Sequence, residues 1–230
     1  MFLQINTTPL DTMMTAAEQM VEPMERLSFL DLLFKGGWVM LPLGFLALVG
    51  LIIFFERYFT IRKAAKFDKN LMVQVKQSIL SGKLETAIAL CRNNSSPLGR
   101  MLQKGLLRIG RPIKDIEGAI ENVGKLEVAH LEKNINVLGI IAGIAPMLGF
   151  VGTIIGVISI FHEVEIEGVI NIGTVSGGLY VKMVSSATGL IIGIVAYIGY
   201  HILNMMVDRI ILRMETDAVE FIDLLDEPVS

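Results

Sequence analysis

Cysteine is almost missing from this 230-residue sequence: Cys91 stands alone, so no disulfide can form within the chain. Histidine is scarce as well. His130, His162 and His201 lie far apart, and the clustered Cys and His spacings of ordinary metal sites do not occur, so no metal or other cofactor is expected. Nor is there an excess of positive charge. Twenty Lys and Arg face 23 Asp and Glu, which argues against a dedicated nucleic-acid binder with its basic face. Charge of either sign is thin at 19%, whereas hydrophobic residues reach 53% and mean hydropathy is +0.61. Soluble domains average about 45–50% apolar and about 25% charged, so the surplus belongs in lipid or in an unusually dry core. Disorder, collagen and disulfide scaffolds are excluded.

Uncharged apolar runs of about 18 residues or more mark candidate membrane spans. Such runs cover Gly36 to Phe55, Ile135 to Phe161, and Gly178 to Leu203, the last interrupted only by Lys182. The chain is therefore expected to be an all-α membrane protein with transmembrane helices at 36–56, 135–161 and 178–203. The stretch MFLQINTTPLDTMMTAAEQM has no basic start and no apolar centre of the length a signal peptide needs. Lys and Arg near span ends stay on the cytoplasmic side. Fifteen of the 20 fall between Arg57 and Lys133, whereas the loop from His162 to Ser176 has none and carries Glu163, Glu165 and Glu167. This bias predicts an outer N-terminal segment (1–35), a cytoplasmic domain (57–134), an outer loop (162–177) and a cytoplasmic C-terminal helix (204–230).

The 57–134 segment reads as several helices, with breaks at Ser81-Gly82, at Asn93 to Pro97 and at Gly110-Arg111-Pro112. Ahead of the first span, Leu27, Leu30, Leu33 and Phe34 recur at helical spacing. They fit a helix lying in the membrane interface or an extension of the first span. Beyond the third span the helix is expected to run on, because Val207, Ile211, Met214, Ala218, Phe221 and Leu225 form a heptad seam. That seam needs a partner surface, either a second copy of the chain or the chain's own domain.

At about 100° per residue, Lys182, Ser185, Ser186, Gly189, Gly193, Ala196 and Tyr200 share one stripe of the third span, opposite an apolar face with Ile191, Ile194 and Ile198. In the second span Gly149, Gly152 and Gly156 share a face that Thr153 borders. Gly139/Gly143 and Gly152/Gly156 form GxxxG pairs, and Pro146 removes a backbone donor. Small residues permit close helix contact, while hydroxyls and a lysine fit a water-containing path. Counted from the hairpin, Thr153 and Ser186 both lie ~10 Å deep at 1.5 Å per residue. Back-bonding of each hydroxyl to the carbonyl four residues earlier is the plainer alternative. For Lys182 the alternatives are an ammonium that snorkels to the outer interface and one that faces a pore to pair with a carboxylate or a lipid phosphate.

The string Ala145-Pro146-Met147-Leu148-Gly149-Phe150-Val151-Gly152-Thr153-Ile154-Ile155-Gly156 resembles the APxLGLLGTVxG signature of the ExbB/TolQ/MotA proton-channel family. Ser186-Ala187-Thr188-Gly189-Leu190 is similar to that family's TAxGL stretch, and Glu56-Arg57 to its usual ending of the first span. Three spans rather than four favour the ExbB/TolQ branch. The resemblance implies no enzyme but an inner-membrane stator: a homo-oligomer, typically a pentamer, around a single-span ExbD- or TolR-like partner. That partner would supply a membrane Asp, and proton flow would energise transport at the outer membrane through a TonB-like transducer. A TolQ-like or gliding motor, and a non-conducting scaffold, are the competing readings. Pore positions implied by the resemblance are Thr153 and Ser186, with Ser185 and Lys182 beside them. Serine replaces threonine at 186, and Lys182 stands next to Val181, where many members carry a glutamate. An intramembrane serine protease is disfavoured because no GxSG string occurs.

Overall fold

The computed structural model describes residues 37–65, 70–170 and 172–226. The apolar stretch around Leu27 to Phe34 lies outside the described residues. Every regular element among those described is an α-helix: α1 (Met40–Ala64), α2 (Leu71–Leu80), α3 (Leu84–Asn93), α4 (Pro97–Leu106), α5 (Ile113–Glu132), α6 (Ile135–Glu167) and α7 (Ile172–Asp226). Three of them, α1, the α5–α6 rod and α7, are long and apolar enough to cross a membrane.

The helix breaks have local causes. Gly82 and Gly110 adopt φ of +70° and +93°, the left-handed region that a side chain disfavours, and so end α2 and the turn after α4. Ser96 caps α4 by accepting a hydrogen bond from the Gly99 amide at 3.1 Å, with Pro97 at the first helical position, where a missing N–H costs nothing. Asn134, at φ +63°, makes the one-residue joint between α5 and α6. Asparagine tolerates that conformation better than most residues.

Two joints differ from the expectation. Helix α6 continues past residue 161 to Glu167, and α7 starts at Ile172, so the 162–177 stretch is mostly helix. The run His162 to Glu167 has no residue that breaks a helix until Gly168, which closes α6 at φ +62° by donating its amide to the Val164 carbonyl at 3.1 Å. The first span likewise does not stop at Glu56. Helix α1 continues to Ala64, and Arg57 and Ile61 are buried against the domain. Arg57 donates to the carbonyl of His130, an acceptor in the last turn of α5 that has few other partners, and also bonds Glu56.

Helix α7 has 55 residues, on the order of 80 Å at 1.5 Å per residue, far more than the ~30 Å hydrocarbon layer. Its surplus forms the spine of the helical domain. Leu203, Val207, Ile210, Met214 and Phe221 are buried among Ile61 of α1, Val75 of α2, Leu102 of α4 and Ile120 of α5. The heptad seam is therefore covered by the chain's own domain rather than left for a second copy, with only Ile211 and Leu225 at its margin. Arg100 and Glu127 lock α4 to α5 through a two-pronged guanidinium–carboxylate pair, and Arg100 also donates to the Ser95 carbonyl at 2.6 Å. Such pairing lets the nearly buried carboxylate of Glu127 stay in a low-dielectric place.

Phe221 is fully buried where α4, α5 and α7 meet, its ring within 2.9 Å of where a Cβ on Gly105 would stand. Phe221→Ala is expected to cost about 3–5 kcal/mol, read as a lower midpoint for domain unfolding by circular dichroism. Asp217, in the part of α7 beyond the spans, has its carboxyl pushed above the ordinary 3.8 by burial and by the Glu220 charge, with Arg213 opposing. A raised folded-state value favours the native state below pH 3.8 and takes that benefit away as pH climbs through it. Asp217→Asn is thus expected to stabilise the domain at neutral pH, with a gain that vanishes in acid; a pH series of melting curves checks this.

Candidate membrane site at the helix hairpin

Helices α6 and α7 make the most extensive contact in the molecule. Their antiparallel seam is built on glycine. A Cβ on Gly189 would stand 2.5 Å from the Ala145 carbonyl oxygen, and one on Gly149 2.9 Å from that of Ser185, so the two backbones touch where no side chain can intervene. One turn further on, Gly193 receives the ring of Pro146 at 2.5 Å by the same measure. Toward the hairpin, Gly152 faces Ser185 Oγ and Val39 of α1, and Gly156 lies beneath the aliphatic stem of Lys182. The glycine face from Gly149 to Gly156 is thus occupied inside one chain. The GxxxG pair at 139 and 143 divides: Gly139 packs on Tyr200, whereas Gly143 meets nothing within 4 Å.

These rungs place Thr153 within about a turn of Ser185 and Ser186. The Thr153 hydroxyl donates toward the Lys182 carbonyl at 3.1 Å and the Gly149 carbonyl at 3.3 Å, and Ser185 donates to the same Lys182 carbonyl at 2.7 Å. Two hydroxyls from two helices therefore converge on one main-chain oxygen. Each has its proton directed into the seam, and its lone pairs remain the part that can accept from water. Ser185 is 1% exposed within the single chain, while Thr153 and Ser186 are half-buried. Thr188 bonds back to the Val184 carbonyl at 2.8 Å.

Lys182 takes a definite course. Its methylenes cover Gly156, and its ammonium reaches within 3.9 Å of where a Cβ on Gly37 would be, in the turn that precedes α1. The charge is carried toward the hairpin end of the bundle, the geometry of a snorkelling lysine. Sequence reasoning missed the Lys182 carbonyl, Val39 and Gly37 as parts of this site. A main-chain acceptor leaves no trace in residue type, and Gly37 and Val39 read only as the start of the first span, whereas the structure makes 37–39 a turn before α1. The outward faces carry Phe150, Ile158, Ile191, Ile194 and Ile198, all exposed in the isolated chain, as lipid-facing residues are. Among the described residues no group of three potential metal ligands comes together.

The fold and seam define a multi-pass membrane protein with a polar, small-residue hairpin inside the bilayer. Residues 93–216, more than half of the chain, match the model of the MotA/TolQ/ExbB proton channel family, and the chain belongs to that family. It is 24% identical over 195 residues to a putative biopolymer transport protein ExbB homolog of Methanothermobacter thermautotrophicus, covering 84% of this chain and 67% of that one. It is 28% identical over 183 residues to the putative biopolymer transport protein ExbB-like 1 of Synechocystis, covering 76% and 70%. Over 71 residues it is 33% identical to the biopolymer transport protein ExbB of Helicobacter pylori, covering 31% and 49%. Relatives with these names set the chain in the ExbB branch.

The rungs make a paired test. Gly189→Ala must force the helices apart at a backbone oxygen and is expected to cost about 1–3 kcal/mol. Gly143→Ala, with open space around it, is expected to be neutral or to gain up to ~1 kcal/mol of helix propensity. Thermal stability of the two variants in the same mild detergent checks the pair.

Proposed function

We propose that the chain is the proton-conducting subunit of an inner-membrane stator, with its N-terminus periplasmic and its C-terminus cytoplasmic. In this reading several copies, a pentamer in the family's usual form, surround a single-span ExbD-like partner. Proton motive force is passed through a TonB-like transducer to transport at the outer membrane. Thr153 and Ser186, within about one turn of each other, border the water path, with Ser185 as an inner brace and Lys182 as a fixed charge at its outer mouth. Gly149, Gly152, Gly156, Gly189, Gly193 and Pro146 hold the hairpin that presents them.

The observation that carries this reading is the seam's chemistry: hydroxyls gathered within about one turn, with no carboxylate at depth in the spans. No Asp or Glu falls in 36–55, 136–161 or 178–203, and the one histidine there, His201, lies at the inner end of the third span. A carrier that titrates near neutral pH needs a carboxylate or an imidazole, and serine and threonine hydroxyls hold their protons far too tightly. The acid therefore comes from another chain, which is why the partner is part of the proposal. Inner-membrane orientation rests on the concentration of basic residues between Arg57 and Lys133.

Proton flux into liposomes tests the proposal. Flux is expected only when a single-span partner with a membrane Asp is reconstituted together with the chain. Thr153→Val, similar in shape but without a hydroxyl, should lower it about tenfold, equivalent to roughly 1.4 kcal/mol on the barrier. Strong flux through the chain alone, or full flux in the valine variant, would overturn it.

A further inference from the structure

The helical domain carries a second feature that the channel reading leaves unused. Helices α5 and α7 diverge on one side of the domain and leave a trough of about 530 Å³ between them. On α5 it is lined from Glu117 to Glu132, which at 1.5 Å per residue is ~22 Å, three to four turns of a third helix. Its floor is apolar. Gly124 lets the Met101 thioether lie against α5, Met101 and Met214 are buried beneath, and Val128, Val219 and Ile222 remain open along the trough.

The rim has one sign. Glu117, Glu121 and Glu132 stand on α5 and Glu215 on α7, against a single cation, Lys125. That cation is already taken, bonded to Glu121 at 2.6 Å one turn away. Most basic side chains of the domain lie elsewhere, on α2 to α4 and the turn beyond, among them Lys83, Arg92, Lys104 and Arg108. The trough thus joins an apolar floor to an acidic border, in a length that matches a short helix.

We infer that this trough docks a basic amphipathic helix of a second protein, lying alongside α5 and α7 with its apolar face on Val128, Val219 and Ile222 and its Lys or Arg toward Glu117, Glu132 and Glu215. Charge complementarity selects that occupant. A flat acidic surface would attract any cation, but an apolar floor between acidic rims is matched only by a helix with an apolar stripe and basic flanks. The trough's upper end opens beside Glu132, three residues before the α6 span begins. A single-span protein with its short tail on this side of the membrane would carry Lys and Arg there, so a juxtamembrane helix is the occupant best placed to enter. The inference does not depend on proton conduction, and flux and docking can fail separately.

The test uses the full chain in nanodiscs of zwitterionic lipid, with empty nanodiscs as blank. The probe is a synthetic amphipathic helix of about 14 residues with leucine on one face and lysine on the flanks. Anisotropy should show saturable, salt-sensitive binding, and a scrambled peptide of the same composition should bind about tenfold more weakly. The exposed pair Glu117→Lys with Glu215→Lys should lower affinity by a further factor of about ten while leaving helicity unchanged. In a second arm, in a Cys91→Ala background, a thiol-reactive group at the centre of the peptide should label Val219→Cys much faster than Leu126→Cys. Both positions are more than half exposed, but only Val219 lines the trough. Equal binding of the scrambled peptide, indifference to charge reversal, or equal labelling at the two cysteines would overturn the proposal. A disulfide between two copies through Val219→Cys as the main product would show that a second copy fills the trough and would overturn it equally.

Discussion

Backbone-to-backbone contact between α6 and α7 is the constraint on which the rest of this molecule depends. At Gly189 and Gly149 the helices are so close that a methyl group would meet a carbonyl oxygen at less than 3 Å. Inside a bilayer, helix association gains little from the hydrophobic effect, because lipid tails are as apolar as the side chains they replace. Close packing and hydrogen bonding must do the work instead. The glycines supply the first, and the shared acceptor at the Lys182 carbonyl, bonded by Thr153 and Ser185, supplies the second.

That contact fixes the position of everything around it. With the hairpin locked, the stem of Lys182 lies over Gly156 and is sent toward the turn before α1. Helix α1 then leans on both partners, Gly50 on Leu138 and Ile141, and Phe54 on Gly199. At the other end α7 leaves the membrane as one unbroken rod, so the domain that wraps around Val207, Met214 and Phe221 is rigidly tied to the hairpin. A load applied to the domain has a direct mechanical route to the seam. The shared spine gives a motor reading its physical sense, because proton passage and movement would act on a single element.

Much of this was legible in the residues. Breaks in the domain fall at Ser81-Gly82, Asn94 to Ser96 and Gly110 to Pro112 because glycine, proline and a serine cap act locally. The spans are legible because a run without charge has no other stable home. The count along an antiparallel hairpin brings Thr153 and Ser186 close in height, and the seam sets Thr153 beside Lys182 and Ser186 beside Gly149, about one turn apart. The end of α6 was less legible. Glu163, Glu165 and Glu167 read as loop by their polarity, yet a helix tolerates them until Gly168 intervenes.

The sequence by itself determined which faces are apolar, small or polar, where helices can start and stop, and that no carboxylate lies at depth in a span, since these follow from composition and period. Only the tertiary structure decided what covers each face. The Val207 to Leu225 seam is equally suited to a second copy and to the chain's own domain, and it was Leu102, Ile120 and Val75 that took it. The glycine stripe is equally suited to dimerisation, and it closes within one hairpin. Periodicity describes one surface at a time. A partner is a relation between two surfaces, and it is settled by a short connection such as the one at Gly168, which makes the neighbouring helix the nearest available match.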